Sequence, residues 1–257
     1  MTDWAAAGGA TWIVTHVDET GSTNADLVAQ AALGAPDHTV LVADVQRAGR
    51  GRLGRSWVAP PGTALLFSVL LRPRAVPPQR LGWIGAILGM AICTAIETAT
   101  GLKADLKWPN DVLIGGRKVA GILAELGSDA LVIGAGINVT LDAADLPRPD
   151  ATSLQLAGAA AYSCDRAALL GAVLGNLDGL LARWEAAEGD IDRSGLRAEY
   201  LARSATVGRR VTVHLPDGRT VTGIATDIAT TGAIVVDADG RPQSFTAGDV
   251  QHLRTSS

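Results

Sequence analysis

The sequence has few of the residues on which several well-known protein classes depend. Its 257 residues include two cysteines, Cys93 and Cys164, which are too few for a disulfide scaffold or a cysteine-based zinc site. The four histidines lie far apart along the chain, so their spacing does not predict a histidine metal site. The chain contains neither a G-x-S-x-G nucleophile motif nor a G-x-x-x-x-G-K-S/T phosphate loop. Chemistry built on these elements is therefore not expected.

Lysine is scarce as well, and its distribution is uneven. The chain has 3 lysines against 19 arginines, and Lys103, Lys107 and Lys118 all fall within 16 residues. Random placement would cluster them this tightly on the order of one time in a hundred. Because the arginine excess indicates a general compositional bias, each retained lysine is a candidate functional residue.

The overall composition is typical of a globular protein. Hydrophobic residues make up 47% and charged residues 19%, so a sizeable core is expected. A net charge of −4 argues against bulk nucleic-acid binding, so any attraction for anions must be local. No secretory signal is evident at the start of the chain, and the longest apolar run, residues 81–96, favours a buried helix over a membrane span. We therefore expect a cytoplasmic protein.

The order of sequence patterns predicts an α+β fold, with a mixed or antiparallel sheet and flanking helices. Strand patterns at residues 12–17, 39–46 and 64–71 precede a long helix over residues 77–100. Short strands then follow one another between residues 103 and 139, with a tight hairpin at Gly115-Gly116. One long helix followed by adjacent strands is not typical of repeating βαβ units.

The pattern changes near Thr206. Two helices, over residues 165–188 and 192–204, are expected before this point, and short strands separated by turns are expected after it. We therefore predict two domains, a larger one over residues 1–205 and a small β-barrel over residues 206–257.

The loop Gly49–Trp57 is the first segment that indicates ligand chemistry. Together with Arg47 it places four guanidinium groups in nine residues, with three glycines and no acidic residue. Free backbone N–H groups and guanidinium groups suit a polyanion such as phosphate, although a solvated basic loop or a nucleic-acid patch is the alternative. Pro60-Pro61-Gly62 prevents the helix that a dinucleotide-binding turn requires.

Two further segments carry lysine. Lys107-Trp108-Pro109-Asn110-Asp111 predicts a rigid corner that presents a cation and a carboxylate, as Mg-nucleotide chemistry needs, or else a simple turn with a surface ion pair. Lys118 begins an apolar strand in which Gly121 leaves space against the backbone, or else it protects a sheet edge.

The segment Gly134-Ala135-Gly136-Ile137-Asn138-Val139 places an amide at the end of a strand. A structural turn and a ligand contact are both open there.

Together, these segments resemble the motifs of biotin protein ligases. The matching segments are Glu19-Thr20-Gly21-Ser22-Thr23-Asn24, Gln46 with Gly49–Trp57, Lys107–Asp111, Lys118–Leu123 and Gly136-Ile137-Asn138. They occur in the family's order and spacing and cover roughly residues 13–140. One such motif would be weak, but five in order are specific.

The resemblance implies the fold and the activity of that family. It implies a biotin ligase or class II synthetase-like catalytic domain with a small SH3-like C-terminal domain. Such ligases use ATP and Mg²⁺ to form biotinyl-5′-AMP and pyrophosphate, then transfer biotin to one lysine of a biotin carboxyl carrier domain of biotin-dependent carboxylases. The motifs begin by residue 19, so we expect no N-terminal helix-turn-helix and no DNA partner. No membrane partner is expected, and a weak homodimer is left open.

The resemblance also assigns residue roles. The implied biotin-binding residues are Ser22, Thr23, Asn24, Gln46, Arg50, Gly51, Arg52, Lys118 and Gly121. The implied ATP- and adenylate-binding residues are Arg52, Arg55, Trp57, Lys107, Asn110, Asp111, Lys118 and Asn138. The implied catalytic residues are Lys118, Arg52 and Lys107, and Asp111 is the implied Mg²⁺ ligand. The sequence indicates no general base for the transfer step.

Two alternatives accompany this interpretation. A lipoate or octanoate protein ligase shares the same catalytic-domain superfamily by resemblance, and a nucleic-acid-binding regulator would use the arginine loop with the C-terminal barrel.

Overall fold

A seven-stranded sheet forms the larger part of the molecule. The computed structural model describes residues 3–252, apart from residues 128, 216 and 247. The strands of this sheet are β1 (Ile13–Thr20), β2 (Thr39–Gln46), β3 (Ala64–Leu71), β4 (Ala104–Lys107), β5 (Asp111–Ile114), β6 (Arg117–Leu126) and β7 (Leu131–Asn138). Their spatial order is β1-β2-β3-β7-β6-β5-β4, in which β1 and β2 are parallel and the other neighbours are antiparallel. The predicted mixed sheet is confirmed.

Four α-helices accompany the two sheets in the described residues. They are α1 (Thr23–Ala32), α2 (Ile84–Thr100), α3 (Arg166–Ala186) and α4 (Leu196–Ala202). A 3₁₀ segment, Pro78–Trp83, leads into α2, and Gly101 ends α2 in the left-handed conformation that a helix C-terminus favours. The helix predicted over residues 192–204 is shorter than expected, because Gly195 at φ +76° interrupts the chain before Leu196.

The helices cover the two faces of the sheet unequally. Helices α2 and α3 bury the main apolar core against one face, and α1 covers a smaller apolar cluster on the other. In β7, Ile133 and Ile137 belong to the main core, whereas Val132 belongs to the cluster under α1. Because side chains alternate along a strand, Gly134 and Gly136 lie on the α1 side of the sheet.

The apolar segment before Gly101 is a helix of the protein core. By length and composition alone, the stretch Pro78–Thr100 is long and apolar enough to cross a membrane. However, 61% of its most apolar 18-residue segment is buried inside the protein. Ile87, Ile92 and Ile96 are fully buried against the sheet. The predicted buried helix is confirmed.

A second sheet of five strands follows the helices. Its strands are β8 (Arg210–His214), β9 (Thr220–Ile228), β10 (Ile234–Ala238), β11 (Arg241–Phe245) and β12 (Asp249–His252). They are ordered β11-β10-β9-β8-β12 and all neighbours are antiparallel. The small all-β fold predicted for the end of the chain is confirmed.

Two tryptophans attach the second sheet to the first unit. The indole N–H of Trp83 donates to the carbonyl of Thr230 at 2.8 Å, and that of Trp108 donates to the carbonyl of Gly232 at 3.0 Å. Trp83 is fully buried, so its N–H has no access to water as a substitute partner. The turn before β10 is therefore held by two buried side-chain donors.

We expect Trp83→Phe to lower the free energy of unfolding by roughly 1–3 kcal/mol more than Trp12→Phe does, because it leaves the Thr230 carbonyl without its donor. Trp12→Phe is the control, since Trp12 is also buried but its Nε1 has no hydrogen-bond partner among the described residues. Urea unfolding of both variants measures the difference, and equal losses would contradict the attachment role of Trp83.

Candidate active site

Glycines make the central part of the sheet accessible on its α1 side. Gly136 faces Gly121 across the β6–β7 pair, and Gly134 faces Ser68 across the β3–β7 pair. A Cβ at position 134 would overlap Oδ1 of Asn24, and one at 121 would come within 2.9 Å of the Trp57 ring. The alternative of a turn at residues 134–136 is wrong, because these glycines lie inside β7.

The predicted site residues converge on this trough. A cavity of about 410 Å³ opens there, and every predicted site residue except Lys107 lines it. These lining residues are Ser22, Thr23, Asn24, Gln46, Arg50, Gly51, Arg52, Arg55, Trp57, Asn110, Asp111, Lys118, Gly121 and Asn138. These residues come from four strands, the start of α1, the arginine loop and the turn between β4 and β5, so the fold brings distant motifs to one place.

Lys107 takes a different position from the one expected. It ends β4 directly opposite Asp111 in the β4–β5 pair, but it does not line the cavity. Its positive charge still acts nearby, since it lowers the pKa values of Asp249 and His252. Its effect on the cavity is therefore electrostatic and not a direct contact in this structure.

The start of α1 supplies a buried polar floor to the cavity. Ser22, Thr23 and Asn24 are all buried, and the Thr23 N–H donates to Oε1 of Gln46 at 2.8 Å. Ser22 stands at the N-cap position, but its side chain makes no capping hydrogen bond. Its hydroxyl group therefore remains available to a ligand.

Ser68 is a buried polar residue that sequence reasoning missed. It is fully buried in β3, where every other residue is apolar, and its Oγ donates to Oδ1 of Asn24 at 2.6 Å. The Thr23 hydroxyl lies 2.7 Å from the same Oγ. A single hydroxyl within an apolar strand was the signal that could have identified it.

Each arginine of the loop has a partner from another part of the chain. The pairs are Arg47 with Glu19, Arg50 with Glu125, Arg52 with the carbonyl of Gly248, and Arg55 with Asp249. Burial lowers the pKa of Arg52, opposed by the negative charges of Asp249 and Asp111. The loop has no acidic residue of its own, so acids from other parts of the chain balance the charge of three of these four arginines.

Lys118 and Asp111 form a partly buried ion pair at the cavity wall. The Lys118 Nζ lies 2.6 Å from Oδ1 of Asp111 and 5.6 Å from the centre of the Trp57 ring. Apart from this ion pair, Oδ1 of Asp111 is buried with no hydrogen-bond partner in the described part of the chain. The alternative of an edge lysine is wrong, because β6 lies between β5 and β7.

Two segments that carried no sequence signal complete the cavity. Pro147, Arg148 and Ala151 line it from the connection after β7, and Gly248 and Asp249 line it from the second sheet. Burial alone would raise the pKa of Asp249, but the hydrogen bond and charge of Arg55, with Lys107 and Arg148, hold it below its ordinary value. Only tertiary contact places these residues at the site.

A separate group of possible metal ligands lies outside the cavity. His16, Asp18 and Asp44 bring ligating atoms within 4.8 Å of one another. Arg166 Nη1 already lies 2.7 Å from Oδ1 of Asp44, and His16 Nε2 lies 3.1 Å from Oδ2. The protein itself supplies positive charge to this group, so we assign it a structural role in joining β1, β2 and α3.

Comparison with known proteins gives one consistent result. Residues 19–142 match the model of the Biotin/lipoate A/B protein ligase family, and residues 206–253 match that of the Biotin protein ligase C terminal domain. The chain is 44% identical to a biotin--[acetyl-CoA-carboxylase] ligase of Mycobacterium tuberculosis, covering 93% of this chain and 88% of that protein. It is 32% identical to the ligase of the same name from Paracoccus denitrificans, covering 90% and 97%.

The fold has the same counterpart among solved structures. A biotin protein ligase from Aquifex aeolicus, in complex with biotin and ATP, superposes with a TM-score of 0.77. It is 27% identical, and the alignment covers 95% of this chain and 99% of that one.

His252 predicts how the stability of the protein depends on pH. Burial, together with the charges of Lys107 and Arg209, lowers the pKa of His252 from 6.5 to about 4. The Thr206 hydroxyl accepts from the backbone N–H of Trp108 at 3.1 Å and lies 3.1 Å from His252 Nε2, which suits a neutral ring whose Nε2 accepts a hydrogen bond from that hydroxyl. In the unfolded chain His252 is protonated below pH 6.5, whereas in the folded chain it is protonated only below about pH 4. Between these two pH values the unfolded state binds the extra proton, so acid favours unfolding.

We therefore expect the free energy of unfolding to fall between pH 7 and pH 4, by on the order of 1–2 kcal/mol through this residue after allowance for its partial exposure. Urea unfolding at several pH values, with His252→Gln as the comparison, isolates the effect because glutamine keeps a hydrogen bond to Thr206 but does not titrate. Identical pH profiles of the two proteins would exclude His252 as the cause.

Proposed function

The chain belongs to the biotin protein ligase family, and from that premise we propose how its cavity residues act. The protein is an ATP-dependent biotin protein ligase. It joins biotin and ATP to form biotinyl-5′-AMP and pyrophosphate, then transfers biotin to a lysine of a carboxylase carrier protein and releases AMP. The observation that carries the residue roles is the convergence of the family motifs on one glycine-lined cavity.

The biotin end of the cavity is the buried polar floor at the start of α1. Ser22, Thr23, Asn24 and Gln46 offer a hydroxyl and amide set that suits the N–H and C=O groups of a ureido ring. The flat apolar and glycine surface beside it suits the ring and chain of biotin, since small-molecule sites combine apolar walls with a few fixed polar groups. Arg50, Gly51 and Gly121 border this end.

The adenylation step brings two anions together. The biotin carboxylate must attack the α-phosphate of ATP, and the fixed positive charges of Lys118, Arg52 and Arg55 offset their repulsion and stabilise the crowded transition state. Their present partners are Asp111, Gly248 and Asp249, which an incoming phosphate would replace. Lys107 adds positive charge from beside the cavity.

The nucleotide lies on the remaining wall of the cavity in this proposal. Trp57 offers an aromatic face, and Asn110 and Asn138 each donate an amide N–H to a backbone carbonyl, which holds their Oδ1 atoms in fixed positions. Asp111 fits a Mg²⁺ ion, because its Oδ1 is buried and charged and, apart from the ion pair with Lys118, lacks a hydrogen-bond partner among the described residues. A bound Mg²⁺ would neutralise phosphate charge there.

Other features of the protein stay predictions that accord with this function. We assign residues 1–205 to the catalytic unit and residues 206–257 to the SH3-like unit. A location in the cytoplasm is what the sequence predicts, and a weak homodimer is left open. No residue is assigned as the general base that receives the proton of the carrier lysine.

The function is tested by labelling a carrier domain. We expect the purified protein to attach biotin to the carrier lysine only when both ATP and biotin are present, and not to attach it when that lysine is replaced by arginine. Pyrophosphate release with biotin, lipoate and octanoate in parallel separates the related ligases. Release with lipoate alone, or salt-dependent DNA binding without any pyrophosphate release, would contradict the proposed function.

Lys118→Met removes the ammonium group and keeps much of the side-chain volume. We expect biotin-dependent exchange between ATP and pyrophosphate to fall about 100-fold or more, because fixed charge at the reacting phosphate is lost. Lys103→Met is the control, since the Lys103 side chain is 82% exposed and its one ion pair among the described residues is with Asp105. Circular dichroism checks the fold, and exchange at the wild-type rate would remove Lys118 from the site.

A further inference from the structure

Glu125 stands outside every predicted motif but contacts two of the predicted biotin-site residues. It lies near the end of β6, two residues after the last motif position, Leu123. Its Oε2 accepts from Nδ2 of Asn24 at 2.8 Å, and its Oε1 lies 3.2 Å from Nη2 of Arg50. One carboxylate therefore joins the floor of the cavity to the arginine loop.

The contact with Glu125 helps to fix which way the Asn24 amide points. The Nδ2 group donates to two acceptors, Glu125 and the carbonyl of Leu123 at 3.1 Å, while Oδ1 accepts from the Ser68 hydroxyl at 2.6 Å. Acceptors surround one end of the amide and a donor faces the other. The reversed amide would place N–H groups against Ser68 and oxygen against two acceptors, so the orientation is determined.

This orientation decides the polarity of the cavity floor. Oδ1 of Asn24 lies against Gly134 on the cavity side, and its second lone pair is free to accept from a ligand N–H. Ser68 gives its hydrogen to Asn24, so the Thr23 hydroxyl can donate its own hydrogen to Ser68 at 2.7 Å or to Oε1 of Gln46 at 3.1 Å. The floor thus presents hydrogen-bond acceptors where the N–H groups of a ureido ring would need them.

The same carboxylate restrains the loop. Arg50 is half exposed, whereas the side chain of Glu125 is 27% exposed and lies on a rigid strand. A charge-assisted hydrogen bond to a partly buried carboxylate is stronger than one between freely exposed groups. One side chain therefore contributes both to the position of the loop and to the polarity of the cavity floor.

We propose that Glu125 is a positioning residue, which orients Asn24 to accept from the ureido N–H groups and anchors Arg50 so that the loop stays over the bound biotin. The inference rests on the proposed function, because it names biotin as the ligand of that floor. Its action is indirect, through Asn24 and Arg50.

Three variants separate the two roles. Glu125→Ala removes both contacts, so we expect the Kd for biotin to rise about tenfold and tryptic cleavage within residues 47–55 to accelerate. Glu125→Gln can still accept from Asn24, so the Kd should stay within about twofold while loop cleavage and biotinyl-AMP release accelerate about threefold or more. Ser68→Ala removes the hydrogen bond to Asn24 and leaves the contact with Arg50 intact. It should therefore raise the Kd for biotin about tenfold while the rate of loop cleavage stays at the wild-type value.

Glu97→Gln is the matched control. Glu97 lies on α2, away from the cavity; its side chain is 30% exposed and pairs with Arg203 at 2.7 Å. The same substitution there should change neither the Kd nor loop cleavage. Calorimetry gives the Kd, and mass spectrometry identifies the cleaved bonds.

The proposal is overturned if Glu125→Ala keeps wild-type affinity and loop cleavage, or if Glu125→Gln and Glu125→Ala differ from wild type only in melting temperature, as Glu97→Gln would. If Glu125→Ala does not fold, the contrast between Glu125→Gln and Ser68→Ala decides the question alone. Absence of biotin binding by the wild-type protein would instead contradict the proposed function, while cleavage of the ligand-free loop would still test the contact between Glu125 and Arg50.

Discussion

Close approach to the backbone of the central strands is the constraint on which the site depends. Gly121, Gly134 and Gly136 lie side by side on β6 and β7, and any side chain at these positions would overlap Trp57, Asn24 or Lys118. The trough forms because these three positions carry no side chain, while the opposite face of the same strands carries residues of the main core. The sheet can therefore be rigid through one face and open to a ligand on the other.

Charge in the cavity is balanced by exchange of partners. A site that brings a carboxylate to a phosphate needs fixed cations, yet unpaired cations in a partly buried cavity would be costly. Here Asp111, Glu125 and Asp249 pair with those cations. In the proposed mechanism phosphate replaces Asp111 and Asp249, while Glu125 keeps its contact with Arg50, and cations held in place before the reaction form a preorganised site.

The sequence predicted which residues line the cavity better than it predicted the residues that support them. Each motif alone left a structural alternative open, but the five motifs in order indicated one ligand, and every predicted site residue except Lys107 lines the cavity. The supports were missed because their chemistry is ordinary in isolation. Ser68 is one hydroxyl in an apolar strand, and Asp249 is one acid at the start of a surface strand.

The sequence by itself determined the order of elements, the mixed sheet, the buried helix before Gly101, and the family motifs. Periodicity, glycine positions and motif spacing are local properties of the chain, so the sequence alone shows them. Only the tertiary structure decided which group pairs with each loop arginine, that Glu125 faces Asn24, and that Lys107 stays outside the cavity. These facts depend on tertiary packing, which joins residues 28 to 196 positions apart in the chain and cannot be predicted from any short segment of it.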